Sequence, residues 1–156
     1  MRKRLFWFFI VFGIFPCFFI MCKKAAPQNA ALVGNAGTSV LVDAYVYSNT
    51  PEFFPLNVVG GSIYKAVGIK GIIIYRVSNS GGNGDFVAFE RSCSYDGANK
   101  TNALVKIQSD KVSAKDSSCC GSKYSIIDGS VINGPSTYPL RAYHTTFDGN
   151  ALHITN

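Results

Sequence analysis

The sequence predicts an all-β domain that follows an apolar N-terminal segment. From about residue 32 onward, short runs of β-branched and aromatic residues alternate with clusters of Gly, Asn, Asp and Ser, and no helical period is sustained over about ten residues. With 156 residues, of which 15% are charged, the chain is long enough for one domain of ordinary size, and we expect no second, catalytic domain. Its charge content also excludes a disordered tail and a coiled coil.

The strand pattern occurs nine times, and turn residues separate the segments. The predicted strands are residues 40–47, 62–67, 71–77, 86–91, 103–107, 112–115, 123–127, 140–146 and 151–155. Asp128-Gly129 and Asp148-Gly149 are typical two-residue hairpin turns, Ser109-Asp110 is a weaker one, and residues 79–84 (NSGGNG) predict a flexible loop. Strands of this number and spacing favour a small antiparallel sandwich or barrel.

The N-terminus has the organisation of an export signal. Arg2, Lys3 and Arg4 precede the apolar residues 5–21, and small and polar residues follow. Phe19-Ile20-Met21-Cys22 resembles the lipobox of bacterial lipoproteins, in which the cysteine is acylated. We therefore predict a signal peptide at 1–21, a lipid-anchor cysteine with its tether at 22–31, and the β domain at 32–156.

Two other interpretations of this segment stay open. The apolar stretch is near the lower limit for spanning about 30 Å of hydrocarbon, so an uncleaved anchor helix is one alternative and plain secretion is the other. The N-terminal cations stay in the cytoplasm under the positive-inside rule. We therefore expect a protein of the bacterial cell envelope that is anchored to a membrane and faces the periplasm, with the outer membrane favoured.

The positive charge does not indicate a nucleic-acid partner. The formal net charge is +6, but Arg2, Lys3, Arg4, Lys23 and Lys24 supply five of these charges, which leaves +1 for residues 25–156. No basic stripe interleaved with aromatic residues is left in that part of the sequence, so nucleic-acid binding is not expected.

Four segments of the domain carry a resemblance to a known family. They are VAFERSC at 87–93, CGSKY at 120–124, GSV at 129–131 and GPSTYPL at 134–140. Over residues 62–156 the order and spacing of these segments resemble the Rieske iron–sulfur domain. In that family the loops C-x-H and C-x-x-H-G-S hold a 2Fe-2S cluster, and a third loop, G-P-x-x-x-P-L, covers it. The resemblance implies a Rieske-like β domain with two ligand-type loops.

The family's four ligand positions are mostly substituted in this sequence. In family order, cysteine, histidine, cysteine and histidine fall on Cys93, Tyr95, Ser117 and Cys120. A Rieske centre needs two thiolates on one iron and two imidazoles on the other. His144 and His153 lie in the last predicted strands, outside both loops. The usual cluster is therefore not expected.

We predict that the domain binds no cofactor, and other metal centres are less favoured alternatives. The domain offers three thiols, at Cys93, Cys119 and Cys120, whereas an all-cysteine 2Fe-2S centre needs four, and a Tyr95 phenolate is a poor substitute. An atypical 2Fe-2S cluster is the alternative to no cofactor. Zinc on three cysteines with water or Ser117 is less favoured still, and we assign no metal ligand.

The resemblance also suggests how the sulfurs are used in an oxidising compartment. Many relatives join their loops with a disulfide whose second cysteine matches Cys119, but the usual partner position here is Ala98. The resemblance then implies that Cys93 pairs with Cys119 or Cys120, which leaves one thiol over. Two further positions, Ser122 and Tyr124, match residues that donate hydrogen bonds to the cluster sulfurs. For Ser122 we favour a turn cap, and for Tyr124 packing on the loop, over a hydrogen bond donated to a thiolate.

The predicted function is that of a membrane-anchored, non-catalytic envelope lipoprotein whose Rieske-like domain is a structural or binding module. Two alternatives are kept. One is an electron carrier with an atypical 2Fe-2S cluster, and the other is a thiol–disulfide redox protein that uses Cys119 and Cys120, although the sequence has no C-x-x-C motif. The membrane is the expected partner, and the sequence names no protein partner.

Overall fold

A computed structural model describes residues 40–97 and 99–156. Within these ranges it contains ten strands and two short 3-10 turns, Phe54–Asn57 and Asn83–Asp85. The strands are β1 (Asp43–Tyr47), β2 (Ser62–Lys65), β3 (Ile72–Arg76), β4 (Phe86–Glu90), β5 (Lys106–Ile107), β6 (Ser113–Lys115), β7 (Lys123–Ser125), β8 (Val131–Asn133), β9 (Ala142–Phe147) and β10 (Ala151–Thr155).

The predicted signal peptide 1–21, the lipidation site Cys22 and the tether 22–31 lie outside the described residues. In the part of the chain that the structure does describe, no helix is long and apolar enough to cross a membrane.

The strands form two antiparallel sheets. The larger has six strands in the order β1-β10-β9-β4-β3-β2, and the smaller has four in the order β5-β6-β7-β8. The predicted all-β class is confirmed. Each predicted segment overlaps one strand, and the Asp148-Gly149 turn joins β9 to β10 as expected because the Asp148 carboxylate accepts the N–H groups of Asn150 and Ala151.

One strand, β8, was not predicted. It follows the predicted Asp128-Gly129 turn, where Gly129 has a φ of 77°. A Cβ at Gly129 would lie 2.7 Å from Cε1 of Phe89, so the turn needs glycine both for its conformation and for its close approach to β4. The strand is short and its side chains are half-buried or exposed, so it lacks the buried alternation that identifies a strand from sequence.

Strand β3 is buried along its whole length because it separates two hydrophobic cores. Successive side chains of a strand point to opposite faces. Ile72 and Ile74 therefore enter a first core with β1, β9 and β10, whereas Ile73 and Tyr75 enter a second core with β6 and β7. The continuous run of isoleucines is the sequence signature of a strand covered on both faces.

The second core supports the loops that carry the cysteines. Strand β4 leads into the first loop at residue 91, and the loop between β6 and β7 spans residues 116–122. At the end of β4, the buried Glu90 carboxylate accepts N–H groups from Ile69, Lys70 and Ser92 and the hydroxyl of Tyr143. These four hydrogen bonds satisfy a carboxylate that would otherwise be costly to bury, and they fix the point where the first loop begins.

Candidate functional site

Three loops meet at one end of the small sheet. They are residues 91–97, residues 116–122 and residues 134–139, which include the cis peptide bond Gly134-Pro135. The first loop is compact: the Gly97 N–H donates to the Cys93 carbonyl at 2.7 Å, and a Cβ at Gly97 would come within 2.0 Å of the Ser92 Oγ. Only glycine fits at that position.

The second loop is built around the buried carboxylate of Asp116. Its Oδ1 accepts the N–H groups of Ser118 and Cys119, each at 3.1 Å, in the manner of an Asx turn. The Gly121 N–H donates to the Asp116 carbonyl at 2.9 Å, and Gly121 has a φ of 76°. Together these bonds bend the chain so that the neighbouring side chains of Cys119 and Cys120 leave the loop toward different partners.

The two sulfurs of Cys93 and Cys120 meet between the first and second loops. They lie 3.1 Å apart without being bonded, and Cys93 is fully buried whereas Cys120 is half-buried. The Cys120 Sγ also lies 3.1 Å from the Ser122 Oγ and 3.4 Å from Oδ2 of Asp116. The Cys119 Sγ instead donates to Oδ2 of Asp96 at 3.2 Å.

A hydroxyl network joins the cysteine cluster to the third loop. The Tyr124 hydroxyl, on a fully buried ring, lies 3.4 Å from the Cys93 Sγ and accepts from the Ser94 Oγ at 3.0 Å. The Ser136 N–H donates to the Ser122 Oγ at 2.9 Å, and the Ser94 Oγ contacts the Tyr138 carbonyl at 2.8 Å. The covering loop is therefore fixed by Ser122, which touches the Cys120 sulfur, and by Ser94, which contacts the Tyr124 hydroxyl.

The surroundings favour the neutral forms of the Cys120 thiol and the Tyr124 hydroxyl. Burial raises the pKa of Cys120 to about 12, and the adjacent Cys93 acts in the same direction. Burial also raises the pKa of the Tyr124 hydroxyl, again with a contribution from Cys93. Both groups are thus protonated at neutral pH, and the unligated Cys120 is a poor nucleophile in this position.

The structure brings together four of the residues singled out from the sequence: Cys93, Cys120, Ser122 and Tyr124. The other two ligand-type positions lie in the same loops: Tyr95 is half-buried against the second core, and the Ser117 side chain is exposed.

The histidines lie outside the site. His144 is on β9, and His153 is on β10, where its Nε2 lies 2.7 Å from Oδ1 of Asp43.

Sequence reasoning missed four residues of the site: Asp96, Asp116, Ser94 and Ser136. Asp116 precedes Ser117 and Ser118, and an aspartate followed by small polar residues is a turn signal that could have identified it. Ser94 and Ser136 carry no comparable signal because their contacts cross 42 residues of chain to join two loops.

The donor set does not fit a Rieske 2Fe-2S cluster. Cys93 and Cys120 stand at positions whose family ligands bind different irons, so a core of two irons and two sulfides would have to lie between them. In the structure these two sulfurs are in direct contact, 3.1 Å apart. Ser117 and Tyr95 supply no thiolate or imidazole. What the described residues do offer is a smaller group, Cys93, Asp116 and Cys120, that could hold a single metal ion.

Comparison with known proteins supports the fold but supplies no function. No protein-family model matches the chain, and no curated protein matches it. Among solved structures, the chain is similar to the cyanobacterial plasma membrane Rieske protein PetC3 from Synechocystis PCC 6803, with a TM-score of 0.53 and 19% sequence identity over 71% of this chain and 99% of that one. Identity at this level is evidence of a shared fold alone. The described part of the chain therefore has a Rieske-like fold.

Proposed function

We propose that this chain is a non-catalytic, membrane-anchored protein of the cell envelope, in which a Cys93–Cys120 disulfide joins the two ligand-type loops of a Rieske-like domain in place of a cluster. The observation that carries the proposal is the 3.1 Å separation of the two sulfurs. A disulfide bond is about 2.05 Å long, so an approach of about 1 Å completes it. The domain's role is that of a structural or binding module.

Cys120 is the favoured partner, rather than Cys119. The Cys119 sulfur contacts Asp96 of the first loop, whereas the Cys120 sulfur contacts Cys93. Pairing Cys93 with Cys119 would require Cys119 to leave Asp96 and to displace Cys120 from Cys93, in a loop that Asp116 fixes through two N–H groups.

The proposed bond is formed by thiol–disulfide exchange. The two thiols lose two protons and two electrons, and a protein disulfide of an oxidising compartment accepts them and becomes two thiols. The closed loop spans 27 residues, and on the chain-entropy model such a loop stabilises the folded state by about 3.5 kcal/mol.

The envelope location is supported by the N-terminal sequence. Arg2, Lys3 and Arg4 precede the apolar residues 5–21, and Cys22 follows in a lipobox-like setting. The solved structure that this chain resembles is named as a plasma membrane protein, which agrees with a membrane-associated location. Export would also place the cysteines on the oxidising side of the membrane.

The test uses the full chain, exported in a bacterial host and extracted in detergent, with free thiols alkylated before unfolding. Trypsin releases Cys93 in the peptide 92–100 and both other cysteines in the peptide 116–123. We expect these two peptides to be joined without reduction in the wild type and in Cys119→Ser, and separate in Cys120→Ser. The pattern in the two variants identifies the partner of Cys93, which the peptides alone cannot do.

Metal analysis of the same preparation tests the alternative, an electron carrier with a bound cluster. Stoichiometric iron, visible charge-transfer absorbance and a paramagnetic signal after reduction with dithionite would overturn the proposal in favour of an electron carrier with an atypical cluster. A joined peptide pair in Cys120→Ser but not in Cys119→Ser would overturn the assignment of Cys120.

A further inference from the structure

The cysteine cluster contains a third potential metal ligand that the Rieske resemblance does not assign. Ligand atoms of Cys93, Cys120 and Asp116 all lie within 4.8 Å of one another. We propose that, when the two cysteines are reduced, these three side chains bind one thiophilic divalent metal ion such as Zn²⁺. The site rests on the positions of the three groups, and only its competition with the disulfide rests on the proposed function.

The distances suit a single ion. Zinc binds thiolate sulfur at about 2.3 Å and carboxylate oxygen at about 2.0–2.2 Å, so donors around a tetrahedral ion are about 3.5–3.8 Å apart. The Cys93 and Cys120 sulfurs are 3.1 Å apart, and the Cys120 sulfur is 3.4 Å from Oδ2 of Asp116. The third pair, the Cys93 sulfur and the Asp116 carboxylate, lies within 4.8 Å, so shifts of at most about an ångström bring all three donors to these spacings.

The surroundings already orient the three groups. The Asp116 carboxylate is fixed through Oδ1 by the N–H groups of Ser118 and Cys119, which leaves Oδ2 directed at Cys120. The Tyr124 hydroxyl reaches the Cys93 sulfur at 3.4 Å, within hydrogen-bonding distance of a thiolate. Outer contacts of this kind hold metal ligands in place and offset part of their charge.

The partial exposure of Cys120 and the number of protein ligands both indicate a metal site that is open to solvent. Cys93 and Asp116 are fully buried, but Cys120 is half-buried, so an ion can enter from its side. Three protein ligands leave a fourth position for water, as in three-ligand zinc sites.

The donor chemistry selects the class of metal. Two sulfurs favour zinc and other soft ions over magnesium or calcium, which prefer oxygen ligands. Binding releases the two thiol protons to solvent, and two thiolates with one carboxylate then neutralise the divalent ion with one negative charge in excess. A disulfide uses both sulfurs, so oxidised and metal-bound forms exclude each other.

The experiment titrates the full chain in detergent with Co²⁺ and Zn²⁺, under anaerobic conditions and after reduction with a phosphine. Co²⁺ reports thiolate binding through charge-transfer absorption. We expect one equivalent to bind to the wild type and to Cys119→Ser, which is the matched control. Cys93→Ser should lose the charge-transfer band, and Asp116→Asn should bind at least tenfold more weakly while keeping one acceptor oxygen for the loop N–H groups.

Each contrary result has a definite meaning. Equal affinity in wild type and Asp116→Asn, with circular dichroism unchanged, would remove the carboxylate from the site, and loss of binding in Cys119→Ser would show a different thiol set. Absence of binding by the folded, reduced wild type would overturn the inference and leave the disulfide proposal standing. One bound Co²⁺ without any joined peptide pair in the oxidised protein would overturn the disulfide proposal alone.

Discussion

The two hydrophobic cores of this domain differ in what they contain. The first, between β1, β9, β10 and one face of β3, is almost entirely aliphatic and aromatic. The second, on the other face of β3, includes the buried Cys93 and Tyr124, and Cys119 and Cys120 pack against it. Apolar packing dominates the first core, where the Tyr143 hydroxyl donates to Glu90, whereas hydrogen bonds among sulfurs, hydroxyls and Asp116 organise the outer end of the second. The stability of the fold and the chemistry of the site are therefore largely separate.

The largest expected effect lies in the first core. Replacement of the fully buried Ile74 by alanine should lower the free energy of unfolding by about 4 kcal/mol, because it removes buried methyl groups and leaves a cavity. Urea denaturation of the full chain in detergent measures the loss, and it should be the same for oxidised and reduced protein.

A surface isoleucine provides the control for that substitution. Ile132 on β8 is 55% exposed, so Ile132→Ala should change stability by less than about 0.5 kcal/mol. If the cost of Ile74→Ala depended on the redox state of the cysteines, the two cores would be coupled and the comparison above would be wrong.

Reduction of the proposed disulfide, at the outer end of the second core, should lower the free energy of unfolding by slightly less than Ile74→Ala does. With a chelator present to exclude metal ions, a thiol reductant should lower the free energy of unfolding of the wild type by about 3.5 kcal/mol, since the unfolded chain regains the freedom that the 27-residue loop restricted. Hydrogen exchange should increase most in residues 91–97 and 116–122, whereas the interior of β10 should change only as far as global unfolding becomes easier.

Two cysteine variants sharpen this second prediction. Cys119→Ser should lose the same stability on reduction as the wild type does, and Cys120→Ser should lose none. Equal sensitivity of both variants to the reductant would mean that Cys93 exchanges between the two partners. Increased exchange spread evenly over both sheets would contradict the separation of the two regions.

The strands could be predicted because their physical causes are local. The isoleucines of β3 and the Asp148-Gly149 turn are recognisable from a few neighbouring residues. Strand β8 could not be predicted in the same way. It exists through its pairing with β7, in a register that shifts between Lys123 and Tyr124, and local sequence does not encode that pairing.

The candidate site was predictable only in part. The resemblance to Rieske domains located Cys93, Cys120, Ser122 and Tyr124, but it left open whether Cys119 or Cys120 faces Cys93. That choice depends on Asp116, which fixes the second loop, and on Asp96, which contacts the Cys119 sulfur from another loop. The Asp116 contacts are local, but the Asp96 contact joins segments 23 residues apart, so cysteine spacing alone does not determine the orientation of the two adjacent cysteines.

The smallest expected effect is a pH dependence in the small sheet. Asp110, in the turn between β5 and β6, has its pKa lowered to about 2 by the Ser113 hydroxyl and by the N–H groups of Val112 and Ser113. Because the folded-state pKa lies below the usual one, the carboxylate stabilises the fold above about pH 4, and this contribution is lost as the pH falls toward 2. The free energy of unfolding of Asp110→Asn, measured by denaturation, should therefore depend less on pH than that of the wild type between about pH 4 and pH 2. In the large sheet, Asp148→Asn tests the matching turn carboxylate, whose pKa is lowered by the N–H groups of Ala151 and Asn150. Identical slopes for the wild type and Asp110→Asn would show that the hydrogen bonds of this turn do not persist in solution.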